Sequence, residues 1–368
     1  MKILFLSAAN SIHTVRWVNS LANRNHEIYL VYNRGHNPKV DKIDKKVRLC
    51  ELPFTGNRGY FFNVFALKKL AKKIKPDVIN VHYASGYGTL ARLAGFKQML
   101  LSIWGSDVYD FPYESKIKKK ILEKNVRYAK EIASTSFCMA EQLRKVINEE
   151  NLPIHITPFG VDINLFDPHA YKEEKKDTVV IGNIKLLSPT YGIKETILAF
   201  EKLLKDEDIR KSGKSIVLEI YGDGEQKQEL EHLIRDKELQ DCVFLKGRIP
   251  NTQVPATLKH IDIFCTFSQR ESFGVAVVEA MAMELPVVVS DADGLKEVVK
   301  AGKNGYVVQR KDIEGCKEAL KELVLNPALR NEFGKNGRKR VEEYYNWENN
   351  VTTMEEIYEN LGKEQYKV

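Results

Sequence analysis

Short apolar runs alternate with amphipathic segments of helical period along this 368-residue chain. Runs with the length and β-branched content of strands fall at 3–7, 27–32, 78–82, 99–103, 131–134 and 155–158. Helical spacing fills the intervals, at 14–22, 60–74, 88–93, 116–129 and 140–149. Parallel strands need a long crossover, usually a helix, so this order predicts a parallel sheet covered on both faces. A second series repeats the rhythm, with strands predicted at 178–182, 216–221, 243–247, 263–266, 286–290 and 305–308. Its helices are predicted at 193–205, 226–236, 275–283, 295–301 and 313–324. Between the series, 166–176 is polar, contains Asp167-Pro168 and ends in a charged run, and reads as a linker. The expected organisation is α/β: a domain over 1–165, a second over 166–345, and a last helical segment, 346–368, packing back on the first. Doubly wound sheets bind ligands beyond the carboxyl ends of their strands. Two of them facing each other would share one cleft.

Composition excludes several classes. Hydrophobic residues at 43% and charged residues at 29% are those of a globular chain, and no apolar run is long enough to span a bilayer. The apolar start, Ile3 to Leu6, is followed by Asn10 and His13 and reads as a first strand, not a signal peptide. The five cysteines are scattered, without a Cys-x-x-Cys pair or metal spacing, as in a reduced cytoplasmic protein. Charge is unevenly spread: residues 1–165 carry 26 Lys+Arg against 14 Asp+Glu, and the remainder 31 against 36. The basic residues cluster at Lys68, Lys69, Lys72, Lys73 and Lys75, and again at Lys116, Lys118, Lys119 and Lys120, on segments with interleaved apolar positions. A solvated helix face and a surface for anionic headgroups or a phosphorylated acceptor both fit. The second reading adds peripheral contact with an anionic membrane at its inner face to a cytoplasmic location. No nucleic-acid motif accompanies the charge.

The chemistry concentrates in Glu271-Ser272-Phe273-Gly274-Val275, which opens a helix carrying Glu279 in an otherwise apolar run. An ionised carboxylate there is costly unless hydrogen-bonded. Each carboxylate can accept both hydroxyls of a diol, and backbone N–H groups at a helix start suit a phosphate. Gly274 allows close backbone approach. One solvated Glu and one N-terminal helix Glu is the plain alternative.

Glu271-x-Phe273-Gly274-x4-Glu279-Ala280-x-Ala282, with Pro286-Val287-Val288 and Gly294-x-x-Glu297-Val298-Val299, resembles the family 4 glycosyltransferases. These are retaining enzymes of the GT-B fold, two Rossmann-like domains facing a cleft, that use nucleotide sugars. Pro158-x-Gly160-Val161-Asp162-x-x-x-Phe166 resembles the family's linker signature, and Asn25-His26-Glu27 its Gly-His-Glu step with the glycine replaced. The resemblance implies ribose hydroxyls on Glu279, sugar hydroxyls on Glu271, and phosphate on Ser272, Phe273, Gly274 and Val275. It implies no metal and no cofactor beyond the nucleotide sugar. The family's phosphate-binding Arg and Lys fall on Lys185 and Thr190, and Lys194 or Arg270 is a possible substitute for the missing lysine. Lys246-Gly247-Arg248-Ile249-Pro250 resembles the loop that meets the base, through Arg248 and Ile249. A structural turn is its alternative. Tyr221-Gly222-Asp223-Gly224 lacks the third glycine of a dinucleotide fingerprint and reads as a tight strand-to-helix turn.

On the acceptor side, His82, Tyr83, Ser85, Gly86 and Tyr87 follow a strand and are expected to contact the acceptor, with Asp107 and Arg16. Trp104 stands where many members carry a histidine. His13, beside Arg16 at a helix start, is a candidate for catalysis, with a structural histidine as the alternative. The implied activity is transfer of a hexose, from a UDP-linked donor on family frequency, to a glycan or lipid-linked acceptor in surface polysaccharide synthesis. A nucleotide-sugar epimerase or a silent sugar-nucleotide binding protein are the alternatives.

Overall fold

The computed structural model describes residues 1–38, 42–171 and 177–365. The chain divides into two compact units, Met1–Phe159 with Glu348–Val368, and Gly160–Trp347.

The first unit opens with β1 (Lys2–Leu6), α1 (Ile12–Asn23), β2 (Glu27–Arg34), β3 (Arg48–Thr55), α2 (Gly56–Phe62) and α3 (Val64–Ile74). It continues through β4 (Val78–His82), α4 (Gly86–Leu93), β5 (Met99–Ile103), α5 (Ser106–Tyr109) and α6 (Phe111–Glu114). Then follow α7 (Lys116–Tyr128), β6 (Glu131–Ser134), α8 (Phe137–Ile147) and β7 (His155–Ile156). The seven strands form a parallel sheet of order β3-β2-β1-β4-β5-β6-β7. Every residue of β4 and β5 is buried, which is why these central strands read as largely apolar runs, interrupted only by Asn80, His82 and Ser102. β3 was not foreseen: it is an edge strand, mostly exposed, and contains Pro53. The single helix expected over 60–74 is two. Asn63 ends one and begins the other, and its buried amide hydrogen-bonds Phe54 N, Phe54 O and Asn33 Oδ1. Ser115 and Ser136 cap α7 and α8 by accepting from Lys118 N and Met139 N.

The second unit contains β8 (Thr178–Ile184), α9 (Ile193–Lys205), α10 (Glu207–Ser212), β9 (Ser215–Tyr221), α11 (Lys227–Asp236) and β10 (Val243–Gly247). After these come α12 (Val254–His260), β11 (Ile263–Thr266), α13 (Val275–Ala282), β12 (Val287–Ser290), α14 (Asp293–Val298) and β13 (Gly305–Val308). Two helices, α15 (Ile313–Leu325) and α16 (Pro327–Tyr344), close it. Its parallel sheet has the order β10-β9-β8-β11-β12-β13. α16 carries a charge-dense sequence with glycines at 334 and 337, and no expectation was placed on it. Both glycines serve packing: a Cβ at Gly334 would lie 2.0 Å from Glu284 O, and one at Gly337 3.3 Å from Met281 Cγ.

The final helix, α17 (Trp347–Gln365), belongs to the first unit. Arg24 reaches Glu348 and Glu355 at 2.6 Å, His26 meets Glu355 at 2.7 Å, and Asn80 Nδ2 donates to the Tyr358 hydroxyl. The first boundary falls at Phe159/Gly160, not at 165/166. The Gly160–Phe166 segment is held by second-unit partners: Val161 N donates to Tyr345 O, Trp347 N to Val161 O, and Arg338 to the carbonyls of Ile163 and Phe166. Phe166 is buried, and Pro168–Ala170 forms a 3-10 turn. The charged end of the expected linker, 172–176, lies outside the described residues. All five cysteines are free, with Cys265 and Cys316 in the core.

Candidate active site

Strand order reverses between β8 and β11 in the second sheet, so the loops after these two strands diverge and leave a crevice at their carboxyl ends. Lys185 begins the first loop and Glu271 lies in the second. Their side chains meet, with Nζ 2.5 Å from Glu271 Oε2, at exposures of only 11% and 14%. The ammonium also sits 4.9 Å from the Tyr191 ring centroid. Two residues 86 positions apart, assigned to phosphate and sugar respectively, thus form one partly buried ion pair. Backbone contacts hold the loops together. Gln269 N donates to Thr190 O at 2.7 Å, and Gly192, at φ +61°, presses against Phe267, whose carbonyl oxygen would lie 1.9 Å from an added Cβ. Thr190 therefore has a structural part through its backbone. Lys194, one suggested replacement cation, is exposed and paired with Glu229.

Beside Lys185 opens a cavity of about 680 Å³. Ile184, Lys185 and Leu186 form one wall, Tyr221 to Gly224 a second, and Arg248, Ile249, Asn251 and Val254 a third. The Arg248-Ile249 loop and the Lys185 loop, expected to meet opposite ends of one nucleotide, line the same space. The Tyr221–Gly224 turn does more than connect: a Cβ on Gly222 would lie 1.8 Å from Lys185 O, and one on Gly224 2.3 Å from Leu187 O. The two glycines let the turn lie against the Lys185 loop and seat it. Their spacing after a strand was the available signal, and sequence alone did not reveal the loop they face.

Gly274 stands at φ +99°, a left-handed conformation that suits glycine, and no side chain caps α13. Glu279 lies about 6 Å along the axis from the first residue of α13. It is half-buried, not fully buried as the apolar run implied. Gly274 and Glu279 are not part of the cavity wall. Phe273 is 2% exposed and packs edge-on against Tyr345, so its side chain is core and only its backbone can serve a ligand. Gly294 explains the downstream motif. Its N–H donates to Glu271 O at 2.9 Å, and a Cβ there would lie 2.4 Å from Phe273 N, so only glycine lets α14 close on the Glu271–Phe273 turn. Among the described residues no group of three or more His, Cys, Asp or Glu is placed to hold a metal ion.

In the first unit the strand order reverses between β1 and β4. His13, in the first turn of α1, stacks on Phe159 at 3.8 Å and lies edge-on to Trp104. Burial, with Arg16 adding to it, lowers the His13 pKa to about 4, so the ring is neutral at pH 7. It can exchange a hydrogen bond but brings no charge to a phosphate. Arg16 donates to Phe159 O. His82 is fully buried, stacked on Phe5 at 4.3 Å, and burial pushes its pKa well down. Several expected acceptor contacts turn out to be supports. Asp107 is 1% exposed, and its carboxylate accepts from the N–H groups of Ala84, Trp104 and Gly105, tying the β4 loop to the β5 loop. Tyr87 is buried, with its hydroxyl bonded to Asn33 N and His36. Gly86 makes room for Tyr60, whose ring would lie 2.4 Å from an added Cβ. Tyr83 and Ser85 remain accessible, and Tyr83 holds φ +70°, strained for a non-glycine residue.

The buried histidines set an acid limit. A folded-state pKa of about 4 against 6.5 means the unfolded chain binds the proton more readily between those values. Stability is therefore complete above pH 6.5 and falls as pH drops towards 4, by at most on the order of 3 kcal/mol for His13. His82 acts in the same direction. The melting temperature should fall between pH 7 and pH 5, and His13→Gln should flatten that decline. An equal decline in the variant would remove His13 as a cause.

Two family models match this chain: "Glycosyl transferase 4-like" over residues 2–136 and "Glycosyl transferases group 1" over 166–340. The chain belongs to the family 4 glycosyltransferases. It is 23% identical over 357 residues to the N-acetyl-alpha-D-glucosaminyl L-malate synthase of Bacillus anthracis, covering 92% of this chain and 90% of that one. It is 25% identical over 362 residues, with the same coverage, to the UDP-Gal:alpha-D-GlcNAc-diphosphoundecaprenol alpha-1,3-galactosyltransferase of Escherichia coli. The fold is GT-B. One solved structure, Anabaena HepE in complex with UDP, superposes with a TM-score of 0.76 at 18% identity, over 99% of this chain and 100% of that one.

Proposed function

We propose that this protein is a retaining, metal-independent glycosyltransferase that moves a hexose from a UDP-linked sugar to a lipid-linked or glycan acceptor. The Lys185–Glu271 pair, beside the cavity that Arg248 and Ile249 line, carries the reading: it joins a cation for the leaving phosphate to a carboxylate for sugar hydroxyls. The E. coli relative, by its name, uses a UDP-hexose and a diphosphoundecaprenol acceptor, and HepE binds UDP. In this reading the base lies at Arg248 and Ile249 and the ribose on Glu279. The diphosphate meets Lys185 and the N–H groups of Gly274 and Val275, with the Ser272 turn beside them. Tyr83 and Ser85 are assigned to the acceptor, and neutral His13 to a hydroxyl of the reacting sugar.

Transfer breaks the bond from the sugar's anomeric carbon to the β-phosphate oxygen and forms one from the same carbon, on the same face, to the acceptor oxygen. The acceptor proton passes to the departing phosphate oxygen, giving UDP. Catalysis rests chiefly on stabilising charge on that phosphate. The basic first half supports peripheral contact with an anionic membrane, where a lipid-linked acceptor resides.

The test is UDP release from a panel of UDP-sugars with a chelator present, with the anomeric configuration of the product read by NMR. An inverted product or full loss with chelator overturns the corresponding part. Glu279→Ala should weaken UDP binding roughly a hundredfold, the loss of a bidentate charged contact, with the fold intact by circular dichroism. Unchanged UDP affinity removes the ribose assignment.

A further inference from the structure

Helices α2 and α3 carry a surface that neither the core nor the active site uses. Phe61 and Phe62 at the end of α2 are 54% and 59% exposed, and Phe65 in α3 is 83% exposed. Phe54, just before α2, is 48% exposed and leans on Phe62 with ring centroids 5.7 Å apart. Single exposed rings are ordinary on a protein surface, whereas a cluster of this kind marks an interaction site. The stretch of chain that carries it has charge of one sign. From Pro53 to Pro76 there is no Asp or Glu, while Arg58, Lys68, Lys69, Lys72, Lys73 and Lys75 are all present. Each of the six is exposed. α3 turns Leu67 and Ile74 into the core, so its lysines are left on the outer side. The same core layer receives Leu122 and Val126 of α7, whose Ile117 is 72% exposed beside exposed Lys116 and Lys120. A second basic and apolar stripe therefore lies outward from the same layer.

We propose that this face, centred on Phe61, Phe62 and Phe65, is the surface by which the protein docks on an anionic lipid bilayer. The rings enter the boundary between headgroups and acyl chains, and the flanking lysines meet acidic headgroups. The proposal rests on the reading that the acceptor is lipid-linked, since such a substrate is confined to the membrane plane. A second copy of this chain is the competing occupant, and the charge argues against it. A two-fold interface sets a patch against itself, and these basic residues would face their own like charges.

Cosedimentation with vesicles tests this. The full chain should pellet with mixed phosphatidylglycerol and phosphatidylcholine vesicles, less so as salt rises, and stay in solution with phosphatidylcholine alone. Phe65→Ser should lower partitioning roughly tenfold. The pair Lys68→Gln and Lys72→Gln should lower it roughly twenty-fivefold, at about fivefold per charge. UDP binding belongs to the second unit and should survive in both variants. Absent vesicle binding with intact UDP binding overturns the docking surface alone, whereas absent UDP binding counts against the glycosyl-transfer reading. Vesicle binding unchanged in both variants overturns the proposal. So does a dimer, seen by light scattering, that Phe65→Ser dissociates.

Discussion

Lys185→Ala is expected to lower turnover roughly 10²–10³-fold, the cost of removing one charged group from a developing anion in a shielded site. In the proposed reading the pair of phosphate cations that the family resemblance implies is reduced here to Lys185, because Thr190 holds the other position and Lys194 is engaged with Glu229. A falling rate alone would not identify the cause. Lys185 and Glu271 are each largely shielded and paired at 2.5 Å, so removing the lysine also leaves a carboxylate short of its partner. The alanine variant should therefore melt lower as well. Adding Glu271→Gln removes the stranded charge and should restore most of the melting temperature without restoring turnover. If rate and stability recover together, the lysine acts as a strut. Lys185→Arg keeps a charge within reach of the phosphate and should retain more activity than alanine, though its planar head cannot reproduce the ammonium contact with Glu271.

The fold was readable because parallel sheets impose a simple pattern. β4 and β5 are buried along their whole length, and strands of that kind are mostly apolar, with Asn80 here paired to Ser102 and Tyr358. Elements outside the core were harder. β3 lies at a sheet edge with most side chains in solvent, and α16 hides its two packing glycines among charges. Around Glu271, the glycines Gly274 and Gly294 were legible because their residue type follows from local backbone demands. The pairing of Lys185 with Glu271 was not, because it depends on which loops flank the strand-order reversal, and sheet order is absent from a linear pattern. On the acceptor side, residue type misled. Asp107 and Tyr87 carry groups suited to a sugar, yet both spend them on loop backbones or neighbours, a choice that burial makes and sequence conceals.

Gly192→Ala carries the second large expectation. Gly192 lies at φ +61° between the 3-10 turn Pro189–Tyr191 and α9, where a side chain meets two separate penalties. The left-handed backbone costs an alanine about 1 kcal/mol. The Cβ would also lie 1.9 Å from Phe267 O and 2.6 Å from its carbonyl carbon, a backbone obstacle without a flexible end to move aside. Relief requires the β8 and β11 loops to part, which strains the Gln269 to Thr190 hydrogen bond and the bonds from Thr196 to Gly192 O. A loss of about 3 kcal/mol or more is expected, with turnover falling because these loops carry Lys185 and Glu271. Gly213→Ala is the control: it has φ +66° at the end of α10, with nothing within 4 Å of an added Cβ. That variant should lose only the backbone cost, about 1 kcal/mol, and keep its turnover. Calorimetry on the two variants separates the contributions. Equal losses would reduce Gly192 to a conformational requirement, whereas a larger loss accompanied by falling turnover makes it the clasp that holds Lys185 beside Glu271.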